Sequence, residues 1–177
     1  RVAARANDEP AIVGLPREQA ILLPKEAFKL RERQLWSFST NQVAAVTVTL
    51  ANKPTQFSRL PNATWRTVDN KALDQIQSAM LEETLYRMGV LSAVGWVGEG
   101  EPAMEITGIK PAANKLTAEV DTADGPRQFR LEFGNKGPLG RTRVMTEQYG
   151  TPTIFSAPNE FTNVYQATLQ ILGLAKR

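Results

Sequence analysis

The chain has 177 residues, 42% apolar and 22% charged, which suits one domain of ordinary size or two very small ones and excludes wholesale disorder. No run approaches the roughly 20 apolar residues that span a bilayer. The net charge of +3 comes from basic residues scattered singly, without the one-sided, aromatic-interleaved footprint of a nucleic-acid domain.

Residues 1–35 read as an irregular lead-in or linker. Gly14, Pro16 and Pro24 interrupt it, and its apolar pieces at 11–13 and 21–23 are too short for helices. A short charged helix over 25–33 leads into Leu35, Trp36 and Phe38. The chain begins with Arg1 rather than Met, so the expectation is a processed or cut form, with any leader or anchor out of view.

The body, residues 36–177, opens with a strand at 43–50, where Val46, Val48 and Leu50 alternate at period two. Asn52 and Pro54 turn the chain into a second strand at 55–60. Pro61 and Asn62 turn it again into a third at 64–68. Together these make an antiparallel meander with one apolar face. Asp69 or Asn70 is expected to cap a helix that Gly89 ends, with Leu73, Ile76, Met80, Leu81, Thr84 and Met88 on its apolar face.

Residues 95–113 read as turn-rich, holding Gly98, Gly100, Pro102, Gly108 and Pro111. The plan then repeats. Strands at 116–120 and 127–133 flank a hairpin turn at 123–125, a glycine-rich loop at 134–140 follows, and further strands occupy 141–147 and 152–156. Asn159 is expected to cap a last helix with Phe161, Val164, Thr168, Ile171 and Leu172 inward and Gly173 as its stop. The fold class is therefore α+β, as two successive antiparallel meander-plus-helix sub-units, 36–97 and 103–177, with helices packed on sheet faces. Periodicity alone leaves open whether the two share one sheet.

The absence of His and Cys excludes serine triads that need imidazole, cysteine nucleophiles, and zinc sites built on imidazole or thiolate. No metal site, cofactor or catalytic residue is assigned. Six serines occur, none inside G-x-S-x-G or S-x-x-K. The carboxylate pairs Glu99/Glu101, Glu82/Glu83 and Asp121/Asp124 each have a plainer reading: a polar loop, a solvated helix face and a hairpin turn. Around the 134–140 loop, Lys136, Arg141 and Arg143 are the candidate contacts for a small anion or glycan. The two arginines alternate on a strand and so share a face, although a loop with solvated arginines is the plainer reading. Trp96, between Gly95 and Gly98, is the candidate partner-binding aromatic, with packing under a loop as its plainer reading.

A Leu-Trp-x-Phe lead (Leu35, Trp36, Phe38) comes before the strand carrying Val43, Val46, Thr47 and Val48. A Phe strand at Phe57 and a lone Trp at Trp65 follow. Later come a strand ending in Phe133 and Gly134, an Arg-Thr-Arg strand, an Ile-Phe strand at Ile154 and Phe155, and a closing helix. From about residue 26 to 174 the pattern resembles the bacterial family catalogued as domain of unknown function 4340. The resemblance implies an extracytoplasmic protein of the periplasm or cell envelope, held to the inner membrane by an N-terminal helix and associated with ABC transporters of the gliding-motility type. It implies no active site. A chain without cysteine is compatible with that compartment.

Three functions follow as expectations. The first is a non-catalytic envelope module that binds a protein, either a transporter component or another copy of itself. The second is a small-anion or glycan binder near 134–143, and the third, the weakest, is a His-free carboxylate hydrolase.

Overall fold

The computed structural model describes residues 2–4, 13–16, 27–109, 113–148 and 150–175. Two compact units emerge, Arg1–Glu32 and Arg33–Arg177. In the first, strands β1 (Val2–Ala4) and β2 (Val13–Leu15) pair antiparallel, and Ala27–Leu30 forms one 3-10 turn. The apolar piece at 21–23 and the start of the charged helix expected over 25–33 lie outside the described residues.

The second unit is α+β, with β3 (Val43–Leu50), β4 (Lys53–Arg59), β5 (Trp65–Thr67), α1 (Gln75–Gly89), β6 (Gly95–Glu99), α2 (Gly100–Ile106), β7 (Asn114–Thr122), β8 (Gly125–Lys136), β9 (Thr142–Gln148), β10 (Thr151–Ser156) and α3 (Asn159–Ile171). Its strands form one antiparallel sheet in the order β5-β4-β3-β7-β8-β9-β10-β6. The two meanders read from the sequence therefore share a single sheet, joined where β3 pairs with β7. Helix α1 carries the chain from β5 at one edge to β6 at the other.

Register assigns the faces. Val46 pairs with Phe57 and Ala118, Val48 with Leu116, and Leu116 with Leu131, so these apolar side chains share one side. Helices α1 and α3 cover that side, and they touch each other through buried hydroxyls. Thr84 and Thr168 lie 2.8 Å apart, and Thr168 also donates to the Met80 carbonyl at 3.0 Å. Gln77 near the start of α1 meets the Ile171 carbonyl at the end of α3, so the two helices run antiparallel. Beneath α3, Phe133 stacks on Tyr165 with centroids 4.6 Å apart. The opposite side of the sheet holds a smaller core of Ile109, Met145 and Ile154, against which Ala103 and Met104 of α2 pack.

Several local expectations shift. Asp69 and Asn70 do not cap α1. Asp74 does, accepting from the Gln77 N–H at 2.8 Å while the Gln77 side chain accepts from the Asp74 N–H at 3.1 Å. Asn159 is the first residue of α3 and Pro158 its cap. The inner face of α1 carries Ser78, Leu81, Thr84, Leu85 and Met88, whereas Ile76 points outward and is 67% exposed. In α3 the buried set is Phe161, Thr162, Tyr165, Thr168 and Leu169, with Ile171 exposed.

The turn-rich stretch from 95 holds both β6 and α2. Its glycines serve packing as well as turning: a Cβ at Gly98 would stand 2.7 Å from that of Ala103, so α2 lies directly on β6. Gly89 ends α1 as expected, for a steric reason. A Cβ there would meet the Phe38 carbonyl at 2.3 Å, where the 35–38 segment crosses the end of the helix.

Candidate functional site

The residues expected around the glycine-rich loop do not converge. Lys136 pairs with Thr142 across β8 and β9, so both side chains share the helix-covered side of the sheet, and Arg143 falls on the other. Lys136 lines a shallow pocket of about 160 Å³ with Leu50, Asn114, Phe133, Tyr165 and Leu169, and neither Arg141 nor Arg143 belongs to that lining. Arg143 packs instead on Gly137, where a methyl group would come within 2.9 Å of its Nε, and that nitrogen is buried without a hydrogen-bond partner. The expected pair of arginines around one anion is thus replaced by a single lysine at a pocket rim.

Tyr165, in the pocket wall, keeps its hydroxyl buried and unpartnered, and burial pushes the phenol well above its ordinary value. A folded phenol that holds its proton while the unfolded one ionises makes stability fall as pH rises above about 10. Tyr165→Phe is expected to leave stability at neutral pH unchanged or raise it by about 1 kcal/mol, and to flatten the alkaline decline. Urea unfolding of both chains near neutrality and at about pH 11 checks this, and a large loss at neutral pH would show that the hydroxyl has a partner.

Trp96 is not a partly exposed anchor. It is 8% exposed and meets Phe155 edge-on at 6.3 Å, because β6 pairs with β10 and Trp96 sits opposite Phe155 on the side that α1 and α3 cover. The carboxylates are placed by structure too. Glu82 accepts from Arg59 at 2.6 Å and from the Trp65 indole at 2.8 Å. Glu83 pairs with Arg87 at 2.7 Å and Asp124 with Arg127 at 2.9 Å. Glu99 ends β6 and Glu101 lies in the first turn of α2. Among the described residues no three His, Cys, Asp or Glu side chains are grouped to hold a metal ion.

The feature that stands out is the outer side of α1. Ile76, Ala79, Glu83, Tyr86 and Val90 recur at three-and-four spacing on the side opposite Leu81, Leu85 and Met88. Tyr86 is 58% exposed and Val90 50%. Exposed Val68 precedes the helix and exposed Ile171 adjoins its first turn. Exposed large apolar residues with few charges are the composition of an interface centre rather than of ordinary solvated surface. The signal was present in the sequence as a second three-and-four series in the same helix. Assigning Ile76 to the inner stripe concealed it.

Comparison with protein-family models, with curated proteins and with solved structures finds no match.

Proposed function

We propose that this chain is a non-catalytic interaction module of the bacterial cell envelope, holding another protein against the outer side of α1. The observation that carries this reading is the stripe of Ile76, Tyr86 and Val90, exposed on a helix whose other side is already spent on the core. A chain with no His and no Cys supports the non-catalytic part. The resemblance to domain of unknown function 4340 supports the envelope, an inner-membrane anchor, and a transporter component or another copy of the chain as the partner. None of the described helices is long and apolar enough to cross a membrane, so that anchor is not one of them.

A photo-reactive phenylalanine derivative placed at Tyr86 in cells is expected to give a discrete protein adduct. The same probe at Gln56, on the sheet side away from α1 and α3, is expected to give none. Equal labelling from both positions, or none from Tyr86, would remove the reading. A small-anion or glycan role ranks second and rests on Lys136 at the pocket rim.

A further inference from the structure

We infer that the rim of the sheet around the 136–141 loop docks on an anionic lipid surface, with Leu139 entering the headgroup layer and the basic residues beside it meeting lipid phosphates. The inference is independent of α1 as a protein contact.

Leu139 and Ile106 are the most exposed large apolar side chains among the described residues, at 85% and 80%. They stand on neighbouring segments, because the Asn135 N–H donates to the Thr107 carbonyl at 3.0 Å. The Gly137 N–H donates to the Arg141 carbonyl and the Gly140 N–H to the Gly137 carbonyl, which closes the loop beneath Leu139. Leu139 is held left-handed, at φ 62°, where glycine is favoured and a branched side chain is not. The loop thus carries a leucine against its backbone preference while burying almost none of it.

Charge selects the partner. From Phe133 to Thr146 the sequence holds Lys136, Arg141 and Arg143 and no acid. The turn at 51–52 is tied to the same rim by bonds from Ala51 to Asn114 and from Asn52 to Ala113, and it adds Lys53. Exposed Glu105 and Glu160 oppose these cations in part, whereas Glu132 is buried and paired with Lys115 and Arg130. Leu139 stands between Pro138 and Gly140, and Ile106 between Glu105 and Thr107, so neither belongs to an apolar stripe such as α1 carries. A fluid layer with a negative surface and an apolar interior takes such separated tips without a complementary shape. The shallow pocket next to Lys136 is also lined by Asn114, Thr142 and Gln166, so a phosphate held there finds amide and hydroxyl donors. Each basic residue near an anionic surface strengthens binding roughly five-fold, and a buried leucine by about ten-fold or more, so the contact is weak and reversible.

Co-sedimentation of the 177-residue chain with vesicles tests this. Binding is expected to phosphatidylcholine vesicles in which a third of the lipid is phosphatidylglycerol, and not to pure phosphatidylcholine. It is expected to be lost between about 0.1 M and about 1 M salt, where the Debye length falls from about 10 Å to about 3 Å. Leu139→Gly is expected to bind at least about ten-fold more weakly while melting no lower than the parent, since glycine accepts the left-handed backbone. Lys136→Gln combined with Arg141→Gln is expected to weaken binding roughly twenty-five-fold. Since the chain has no native cysteine, a polarity-sensitive dye on Leu139→Cys is expected to shift to the blue on the anionic vesicles. The same dye on Ala123→Cys, in the turn at the opposite end of β7 and β8, is not. Absent binding, equal binding to neutral vesicles, a Leu139→Gly chain that binds like the parent, or equal dye shifts at both positions overturns the proposal. If vesicles fail while a photo-reactive residue at Leu139 captures a protein in cells, the rim is a protein contact instead. A Tyr86 adduct without vesicle binding removes this inference alone, and vesicle binding without that adduct removes only the reading of α1.

Discussion

Trp65→Ala is expected to lower the stability of the Arg33–Arg177 unit by about 3–5 kcal/mol, read as a large fall in the urea midpoint. Trp65 is fully buried, yet it belongs to the shortest strand of the large sheet and to its edge, held to β4 through three residue pairs. Its ring supplies what so short a strand lacks. The indole N–H donates to Glu82 Oε1 at 2.8 Å, the Arg59 guanidinium lies 5.5 Å from the ring centroid, and Arg59 bonds both Glu82 and the Thr40 carbonyl. One side chain thus ties β4, β5 and α1 together. Removing it opens a cavity and takes a donor from a carboxylate only 24% exposed. Trp65→Phe keeps most of the ring volume and loses the indole donor, so a smaller cost of about 1–2 kcal/mol is expected. A loss below about 1 kcal/mol for Trp65→Ala would mean that β5 frays without affecting the core.

The elements that were legible in the sequence are those whose patterning local physics sets. Alternation of Val46, Val48 and Leu50, and of Leu116, Ala118 and Val120, marks strands with one buried side, and the structure places both sets on the side that α1 and α3 cover. What periodicity could not supply was the pairing of β3 with β7, because a long-range partner leaves no local trace. Gly95, Gly98 and Gly100 concealed β6 and α2 for a different reason. Glycine is read as a turn, but here Gly98 lets a helix lie directly on a strand. The candidate site was misplaced by two such ambiguities. Arg141 and Arg143 do alternate, but Lys136 is paired to Thr142, which sends it to the other side of the sheet. In α1, apolar residues on both sides admit two inner stripes, and only the packing of Leu85 and Met88 decides between them.

The same ambiguity governs Trp96, where the two readings predict opposite experiments. Flanked by glycines, an aromatic residue looks like an exposed anchor, whose loss would cost binding and spare the fold. In the structure its ring is 8% exposed and packs edge-on against the fully buried Phe155. Trp96→Ala is therefore expected to cost about 3 kcal/mol, at the low end for a buried tryptophan because β6 is an edge strand with room to relax. The protein adduct from a probe at Tyr86 should persist in that variant below its melting midpoint, since α1 keeps Leu81, Leu85 and Met88 against the sheet. Thermal unfolding and crosslinking on the same preparation separate the cases. Unchanged stability with a lost adduct would return the partner surface to Trp96 and β6. A marked drop in stability with the adduct retained assigns tryptophan to the core and the contact to α1.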